Sequence, residues 1–414
     1  MKYIRTFLFF RPLTKVRGLF FIVLFLYSFK LNAQWSEVGA GSSIGGDIMA
    51  LMEHNNILYA GGTAYLFRST DLGITWSGLF DLFAYAWSLA KSNNNLYCGL
   101  FTSSGQTASV YKSTNNGSDW LPTAISENII SLAASDSEIY TSTSSGKMFL
   151  TTDEGVTWNQ ISNVFGYLFL SGSRLYAAGS GLKVTTDKGN SWSLIHSNPG
   201  ISVFAEDSIV FFGTQYGEIF RSSDYGQTWL QVLHKPGAYV RSLFKYFDFV
   251  AAGTDSGLYI SNDNGFNFAY RNDNLGRTMV TDIMYYDGYI YLSNGNYAGV
   301  PVAVWKRPVS ELTSVYNIHS SPTFEITLMQ NYPNPFNPST KIRYSIPNTG
   351  TGLTLSVLKV YDALGNEVAT LVDDYIEAGR YEIEFNSSDL PSGIYYYKLT
   401  AGNFSDVKKM ILLK

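Results

Sequence analysis

Acidic side chains near the start of strand-like segments are the first candidates for chemistry in this sequence. Asp47, Glu127 and Asp282 each have such a position. Hydrolysis of a glycosidic bond by two carboxyl groups requires an acid and a base or nucleophile that face each other across a cleft. Asp47 and Asp282 would converge if the first and last repeats of the chain are neighbours. They are therefore the candidate catalytic pair.

The other reactive residue types indicate no site. The four histidines, His54, His196, His234 and His319, are dispersed, and no metal-ligand spacing, phosphate-binding loop or nucleophile elbow occurs. Cys98 is the only cysteine, and its apolar neighbours favour a core position over a nucleophile. The sequence therefore predicts no metal and no cofactor.

A turn of eight residues recurs six times and organises the chain. Its first copy reads STDLGITW at residues 69–76, and every copy has Gly at the fifth position and an aromatic residue at the eighth. The third positions are Asp71, Asn115, Asp153, Asp187, Asp224 and Asp263. An Asp side chain stabilises a tight turn by accepting backbone N–H groups, and Gly tolerates positive φ. We predict a structural role; calcium binding is the alternative, although the extra carboxylates that calcium needs are missing.

The segments between these turns predict strands. Phrases such as Leu96–Gly99 recur seven times, another strand precedes each, and further strands flank the turn. Four strands in about 40 residues is the size of a β-propeller blade. We predict seven blades, with six as the alternative. The seventh lacks a fourth strand, and Trp35–Val38 has the matching pattern, so this N-terminal strand is expected to close blade seven.

The octets resemble those of the Asp-box propellers, whose motif is also called the bacterial neuraminidase repeat (BNR). That family includes sialidases, xyloglucan-active hydrolases, peptide receptors and photosystem-assembly factors, so the resemblance implies a fold and not one activity. Sialidases of the family carry an R-I-P motif near the start of the propeller, and this sequence has none.

Alignment of the blades gives Asp282 a second interpretation. It shares a column with Ala50, Ser88, Ser131, Tyr167, Ser202 and Ser242. This column lies inside the first strand of each blade, near the axis, where a carboxylate can simply line the central channel. We therefore favour a propeller without catalytic residues.

Aromatic residues concentrate in the loops that usually carry the ligand site of a propeller. They are Phe80, Phe83, Tyr85, Phe101, Phe165, Tyr216, Tyr239 and Tyr297. Such a ring can stack on sugar faces or hold an extended peptide. Packing of the rim in an aromatic-rich protein is the alternative.

The first 33 residues have the layout of a secretory signal peptide. Basic residues precede the apolar run Leu19–Phe29 and the small residue Ala33. This run is about half of a membrane span, so a membrane anchor is the less favoured interpretation and the mature chain is expected to have no transmembrane helix. Removal of residues 1–33 changes the formal net charge from −4 to −10, which does not suit nucleic acid.

A second module follows a linker at residues 311–323. Residues 324–414 contain seven short strand-like segments and the proline-rich stretch Asn331–Thr340, and they predict a small Ig-like β-sandwich. The module closely resembles the type-A C-terminal sorting domain of the type 9 secretion system of Bacteroidota. The residues that carry this resemblance as a sorting signal are Asn331, Pro333, Asn334, Pro335, Gly365, Gly393, Tyr395, Lys408 and Lys409.

The resemblance implies export across the outer membrane, with the secretion machinery and its surface peptidase as partners. Lys408 and Lys409 have a plainer alternative as protection of an edge strand. The sequence thus predicts a signal peptide (1–33), a seven-bladed propeller (34–310), a linker (311–323) and a sorting domain (324–414) in a secreted or cell-surface protein. We favour non-enzymatic binding of glycan or protein by the propeller; a glycoside hydrolase is the alternative.

Overall fold

The computed structural model of the chain describes residues 34–39, 47–102, 108–275, 279–295, 303–313, 327–346, 353–377, 379–402 and 404–414. The predicted signal peptide lies outside these residues. Among the described elements only one, a helix of five residues, is not a β-strand. The predicted all-β class is confirmed.

The first strands of the chain build a closing strand and two joined blades. They are β1 (Ser36–Val38), β2 (Ile48–His54), β3 (Ile57–Ser69), β4 (Ser77–Ser92), β5 (Asn95–Phe101), β6 (Val110–Ser113) and β7 (Leu121–Pro122). Strand β3 pairs with both β2 and β4, and therefore supplies the second and third strands of blade one. Strand β4 supplies the fourth strand of blade one and the first of blade two, so both blades belong to one six-stranded sheet.

Four further blades are separate four-stranded sheets. Blade three is β8 (Ile129–Ala134), β9 (Ile139–Thr143), β10 (Met148–Thr151) and β11 (Asn159–Ser162); blade four is β12 (Tyr167–Ser171), β13 (Arg174–Ala178), β14 (Leu182–Thr185) and β15 (Ser193–His196). Blade five is β16 (Gly200–Glu206), β17 (Ile209–Thr214), β18 (Glu218–Ser222) and β19 (Leu230–His234); blade six is β20 (Val240–Tyr246), β21 (Phe249–Thr254), β22 (Gly257–Ser261) and β23 (Ala269–Tyr270).

Blade seven joins the two ends of the ring. It consists of β24 (Met279–Tyr286), β25 (Tyr289–Gly295), β26 (Val304–Pro308) and, on its outer edge, β1. Ser36 lies opposite Lys306 and Val38 opposite Val304. The predicted seven blades and the closure by the N-terminal strand are confirmed.

The side chain before β1 fixes this closure. Trp35 is 2% exposed and belongs to a buried cluster with Phe249 and Leu258 of blade six. Leu312, on helix α1 (Val309–Thr313), completes the cluster. Burial of an aromatic side chain of this size is a dominant stabilising contribution, so the N-terminus is held to the propeller by packing as well as by strand pairing.

The C-terminal module is a sandwich of two sheets. Its strands are β27 (Thr327–Leu328), β28 (Ser339–Ile346), β29 (Leu353–Tyr361), β30 (Glu367–Glu377), β31 (Gly379–Asn386), β32 (Gly393–Ala401) and β33 (Phe404–Leu412). They form the sheets β27-β28-β31 and β30-β29-β32-β33, which share one buried apolar core. The predicted small sandwich of seven strands is confirmed.

Candidate binding site at the channel mouth

A repeated bulge shapes the central channel. In six blades the pairing of the first strand with the second skips one residue at the same position, so that residue has no partner in the ladder. The skipped residues are Met49, Trp87, Ile130, Ile201, Arg241 and Thr281. Together with Tyr167 of blade four they line a cavity of about 350 Å³ at the centre of the ring. Bulges re-aim side chains, and here they place one residue of each of these six blades at the channel.

The antiparallel order of the strands defines two faces of the propeller. The six octets join third to fourth strands and lie on the same face as the hairpins between first and second strands; we name this the box face. The connections from second to third strand, and from one blade to the next, lie on the opposite loop face. The skipped residues stand near the beginning of each first strand, so they surround the channel mouth on the loop face.

An aromatic cluster forms one side of this mouth. The Trp87 ring lies 5.2 Å from that of Phe101 and 6.1 Å from that of Tyr85, centroid to centroid. Burial raises the pKa of Tyr167, although the charge of Arg241 and a hydrogen bond with Trp87 oppose the shift. Tyr167 therefore remains a neutral hydroxyl at the channel wall.

A cation and exposed rings form the other side. Arg241 makes an ion pair with Asp255, and its guanidinium lies 5.8 Å from the centre of the Tyr239 ring. The side chains of Tyr239 and Tyr216 are 43% and 56% exposed, and Phe165 is also exposed. Of the predicted loop aromatics, Tyr85, Phe101, Phe165, Tyr216 and Tyr239 thus lie on the loop face. Tyr297 and the side chains of Phe80 and Phe83 lie outside what the structure describes. The contribution of Arg241 was missed, because its only signal in the sequence was a charged residue in a column of otherwise uncharged residues.

Asp282 lies on the channel wall but its oxygens are occupied. Oδ2 accepts the backbone N–H of Leu51 at 2.8 Å, and Oδ1 accepts that of Ile283 at 2.8 Å. Surrounding protein atoms raise the pKa of the carboxyl to about 6, and these hydrogen bonds oppose the shift. The group can therefore exchange a proton near neutral pH, while it also joins blade seven to blade one.

Two other blades use serine for the same contact. Ser88 accepts the backbone N–H of Leu132 at 3.0 Å, and Ser131 accepts that of Leu168 at 2.9 Å. In each case the donor belongs to the next blade. The residue at the position of Asp282 thus joins neighbouring blades. This agrees with the prediction that Asp282 lines the channel.

The other carboxylates stand apart from this contact. Asp47 lies at the same junction, where its carboxylate faces Gly295 of β25. Glu127 binds Lys147 at 2.7 Å on the loop face of blade three. Within the described ranges no group of three or more His, Cys, Asp or Glu side chains is arranged to hold a metal ion.

The octets have one hydrogen-bonding pattern. In the first, Oδ1 of Asp71 accepts the Thr75 backbone N–H at 2.9 Å, Oδ2 accepts the Thr75 hydroxyl at 2.6 Å, and Ser69 donates to Oδ1 at 2.7 Å. The same bonds lower the pKa of Asp153, Asp187 and Asp224 to about 2. They also lower the pKa of Asp71, and they outweigh the effect of burial on the pKa of Asp263. In the second octet Asn115 bonds to Asp119 instead, with 2.8 Å from Nδ2 to Oδ2.

Some octets also bond to the preceding blade. In every octet both residues after the third position have positive φ, +58° at Leu72 and +85° at Gly73 in the first copy, as a type I′ turn requires. In the first, second and sixth octets the carbonyl of that non-glycine residue accepts a bond from the preceding blade. Tyr59 donates to Asn116 at 2.9 Å, and Tyr291 to Leu72 at 3.2 Å. The sequence indicated the glycine but not this strained neighbour.

The proline-rich stretch of the C-terminal sandwich holds the last strand. Nδ2 of buried Asn331 donates to Oγ1 of Thr340 at 2.9 Å and to the Pro333 carbonyl at 3.0 Å. Oδ1 of Asn334, the residue before Pro335, accepts the backbone N–H of Ile411 in β33 at 2.9 Å. Asn334 also donates to the Lys409 carbonyl at 3.3 Å. The stretch is a shaped loop that fixes the C-terminus.

The end of the chain also agrees with a known family. Residues 330–413 match the family described as "Secretion system C-terminal sorting domain". These residues are a type 9 secretion sorting domain. The chain is therefore a protein exported to the cell surface or beyond.

The other residues of the predicted sorting signal are spread over the sorting domain. Gly365 has φ +87° in a turn that Asp362 stabilises. Gly393 begins β32, and the hydroxyl of Tyr395 donates to the Pro391 carbonyl at 2.8 Å. Lys408 pairs with Asp406 at 3.5 Å, and Lys409 is exposed on β33. These residues do not form one cluster; they shape separate turns and the final strand.

Comparison with solved structures supports the propeller. YCF48 from Cyanidioschyzon merolae is 13% identical with a TM-score of 0.54, over 67% of this chain and 98% of that one. YCF48 bound to D1 peptide is 15% identical with a TM-score of 0.54, over 68% and 99%. The extracellular domain of BT4673 from B. thetaiotaomicron is 13% identical with a TM-score of 0.55, over 81% and 44%. At these identities the likeness concerns the fold alone.

Two further results are negative. No curated protein sequence matches the chain. Over the residues that the structure describes, no helix has the length and apolarity to cross a membrane.

Proposed function

We propose that the propeller is a non-enzymatic binding module that holds an extended protein segment against the channel mouth on its loop face. The observation that carries this proposal is the set of exposed aromatic side chains on the loop face, one of which, Tyr239, lies beside Arg241. Aromatic rings supply large contact areas at low entropic cost, and an arginine orients carbonyl or carboxylate groups. The complex of YCF48 with a D1 peptide gives a propeller of similar fold that binds a peptide.

Export precedes this function. In the proposed sequence of events, residues 1–33 are removed as a signal peptide, and the sorting domain at 324–414 engages the type 9 machinery. The surface peptidase then cuts near the linker at 311–323. The propeller at 34–310 would be the part that acts outside the cell, free or attached to the surface.

The test is a binding and cleavage screen of the chain that begins at residue 34. The protein is applied to arrays of peptides and of glycans, and both retention and hydrolysis are measured. Retention of peptides, with loss in Arg241→Gln, is expected. Retention of glycans alone would show that the ligand is a sugar and not a peptide. Absence of retention and hydrolysis on both arrays would contradict the proposal.

A glycoside hydrolase is the second candidate, because Asp282 has a raised pKa at the channel wall and Asp47 lies at the same junction between blades. The double variant Asp47→Asn and Asp282→Asn distinguishes the two. It would abolish glycan hydrolysis if these carboxyl groups are catalytic. It would leave peptide retention intact if the propeller only binds.

A further inference from the structure

Blade five carries an unusual pair of acids on the box face. Its first strand ends at Glu206, and Asp207 follows in the hairpin turn with φ +52°. In the other six blades the first strand ends at His54, Ser92, Ala134, Ser171, Tyr246 and Tyr286. No other described blade thus has a carboxylate at this position, and nothing in the geometry of the hairpin requires one there.

Glu206 connects the propeller with the sorting domain. Its Oε2 lies 2.7 Å from Nζ of Lys245, in the neighbouring blade six, whose side chain is only 3% exposed. Its Oε1 lies 3.4 Å from Arg343 on β28 of the sorting domain. A buried ammonium group is costly unless it is paired, so Glu206 neutralises Lys245 and is held in place to meet Arg343.

Arg343 makes further contacts on both sides of this boundary. Within the sorting domain its Nε lies 2.8 Å from Oε2 of Glu382, which also binds Lys341 at 2.9 Å. Across the boundary its guanidinium lies 5.7 Å from the centre of the Tyr246 ring. Tyr246 is itself stacked on Tyr285 of blade seven at 4.1 Å. An arginine that pairs with a carboxylate and covers an aromatic ring is a typical interface anchor.

The second acid of the hairpin also lies within electrostatic range of the sorting domain. Burial and the charge of Glu206 raise the pKa of Asp207, while the cations Lys245 and Lys408 oppose the shift. Lys408 belongs to β33, on the other sheet of the sorting domain. Glu206 thus pairs with a cation of one sheet of the sandwich, and Asp207 feels the charge of a cation on the other.

We propose that the outward face of β27-β28-β31 is a binding surface for its own propeller, and that the sorting domain stays bound to blades five and six after the connecting chain is cut. The contact lies on the box face, so it leaves the channel mouth on the loop face open. Proteolysis would then produce a non-covalent complex, from which the sorting domain dissociates in a separate step.

A cleavable full-length chain tests this proposal. A recognition sequence for a specific protease is placed within residues 314–326, the chain is cut, and the fragments are separated by size-exclusion chromatography at micromolar concentration. Co-elution of the two fragments is expected. Separate elution of the wild-type fragments would overturn the proposal.

Matched variants identify the contact. Arg343→Gln should raise the concentration at which half of the sorting domain is released by about tenfold. Glu206→Gln should act in the same way from the propeller side, and it provides a second readout if the first variant folds poorly. Lys341→Gln is the control, because Lys341 pairs with Glu382 within the sorting domain; release should change by less than about threefold. Equal release by Lys341→Gln and Arg343→Gln would contradict the proposed surface.

Discussion

The backbone N–H of Leu51 donates a hydrogen bond of 2.8 Å to Oδ2 of Asp282, and this bond joins the first blade of the ring to the last. Ser88 and Ser131 accept the corresponding bonds between blades two and three and between blades three and four. The ring is thus closed on its inner side by a side chain that can be charged, as well as on its outer side by β1.

Replacement of Asp282 by serine should remove a pH dependence of stability. The pKa of this carboxyl is raised to about 6 from 3.8, so the folded state binds the proton more tightly than the unfolded state. Its contribution to stability is therefore complete below pH 3.8 and is lost as the pH rises through 6, with an upper limit of about 3 kcal/mol. Asp282→Ser should flatten the unfolding free energy between pH 4 and 7 relative to wild type.

Urea unfolding at pH 4, 5.5 and 7 measures this difference. Ser242→Ala is the control, since it alters the same column in another blade without a titrating group. A wild-type and an Asp282→Ser curve that remain parallel over this pH range would show that the carboxyl does not titrate in the folded protein.

Loss of the Trp35 side chain should destabilise the closed ring. This side chain is 2% exposed and packs in the same cluster as Phe249 and Leu312. Trp35→Ala should lower the free energy of unfolding by about 3–5 kcal/mol. Urea denaturation checks this, with Glu37→Ala, an exposed change on the adjoining strand β1, as the control. Equal effects of the two changes would mean that the N-terminus does not hold the ring together.

The octet carboxylates should stabilise the fold at neutral pH and contribute less to its stability in strong acid. Hydrogen bonds from the Thr157 hydroxyl and backbone, and then from Thr151, lower the pKa of Asp153 to about 2. Its stabilising effect is therefore present above the unfolded value of 3.8 and is lost as the pH falls through 2. Asp153→Ala should lower the thermal midpoint by several degrees at pH 7, and the difference from wild type should shrink between pH 4 and 2.

Asparagine should be able to substitute for aspartate in these turns with little loss of thermal stability. Oδ1 of Asn115 accepts the backbone N–H of Asp119 at 2.9 Å, as the aspartates do in their own octets. Asp153→Asn should therefore retain most of the thermal midpoint that Asp153→Ala loses. Calorimetry of both variants decides this, and an Asn variant as unstable as the Ala variant would exclude this account of the turn.

The sequence predicted the ring because its signal is repeated. Six octets with Gly at the same place indicated hairpins, and the pattern shared by Trp35–Val38 and the other fourth strands indicated the closure. The contacts across blades gave no comparable signal. The acceptor role of Asn116 for Tyr59 depends on a backbone carbonyl, which no residue type specifies.

The candidate site was less predictable for a physical reason. Loop aromatics such as Tyr216 and Tyr239 can be read from the sequence, but the bulge that turns Trp87 and Arg241 into the channel is a one-residue shift in pairing. Such a shift reverses the direction of a side chain without a change in local composition. The ion pair of Arg241 with Asp255 also joins a residue of β20 to one in the turn between β21 and β22.

The thiol of Cys98 should be inert in the folded protein. It is fully buried, and burial raises the pKa of the thiol far above its usual value. Because the thiolate is the reactive form, alkylation should follow the fraction of unfolded protein. Mass spectrometry after a pulse of iodoacetamide, with and without urea, measures it. Rapid labelling of the native chain would contradict the buried position.

The exposed rings of the loop face should contribute to ligand binding without contributing to stability. Tyr239 is 43% exposed next to Arg241, whereas Tyr270 is 51% exposed on β23, the outer strand of blade six. Removal of an aromatic side chain that contacts the ligand costs about 1–2 kcal/mol, which is about a tenfold loss of affinity. Tyr239→Ala should therefore weaken retention on the peptide array, while Tyr270→Ala leaves it unchanged. Unchanged thermal midpoints in both variants are the control, and equal losses of binding would place the ligand somewhere other than the channel mouth.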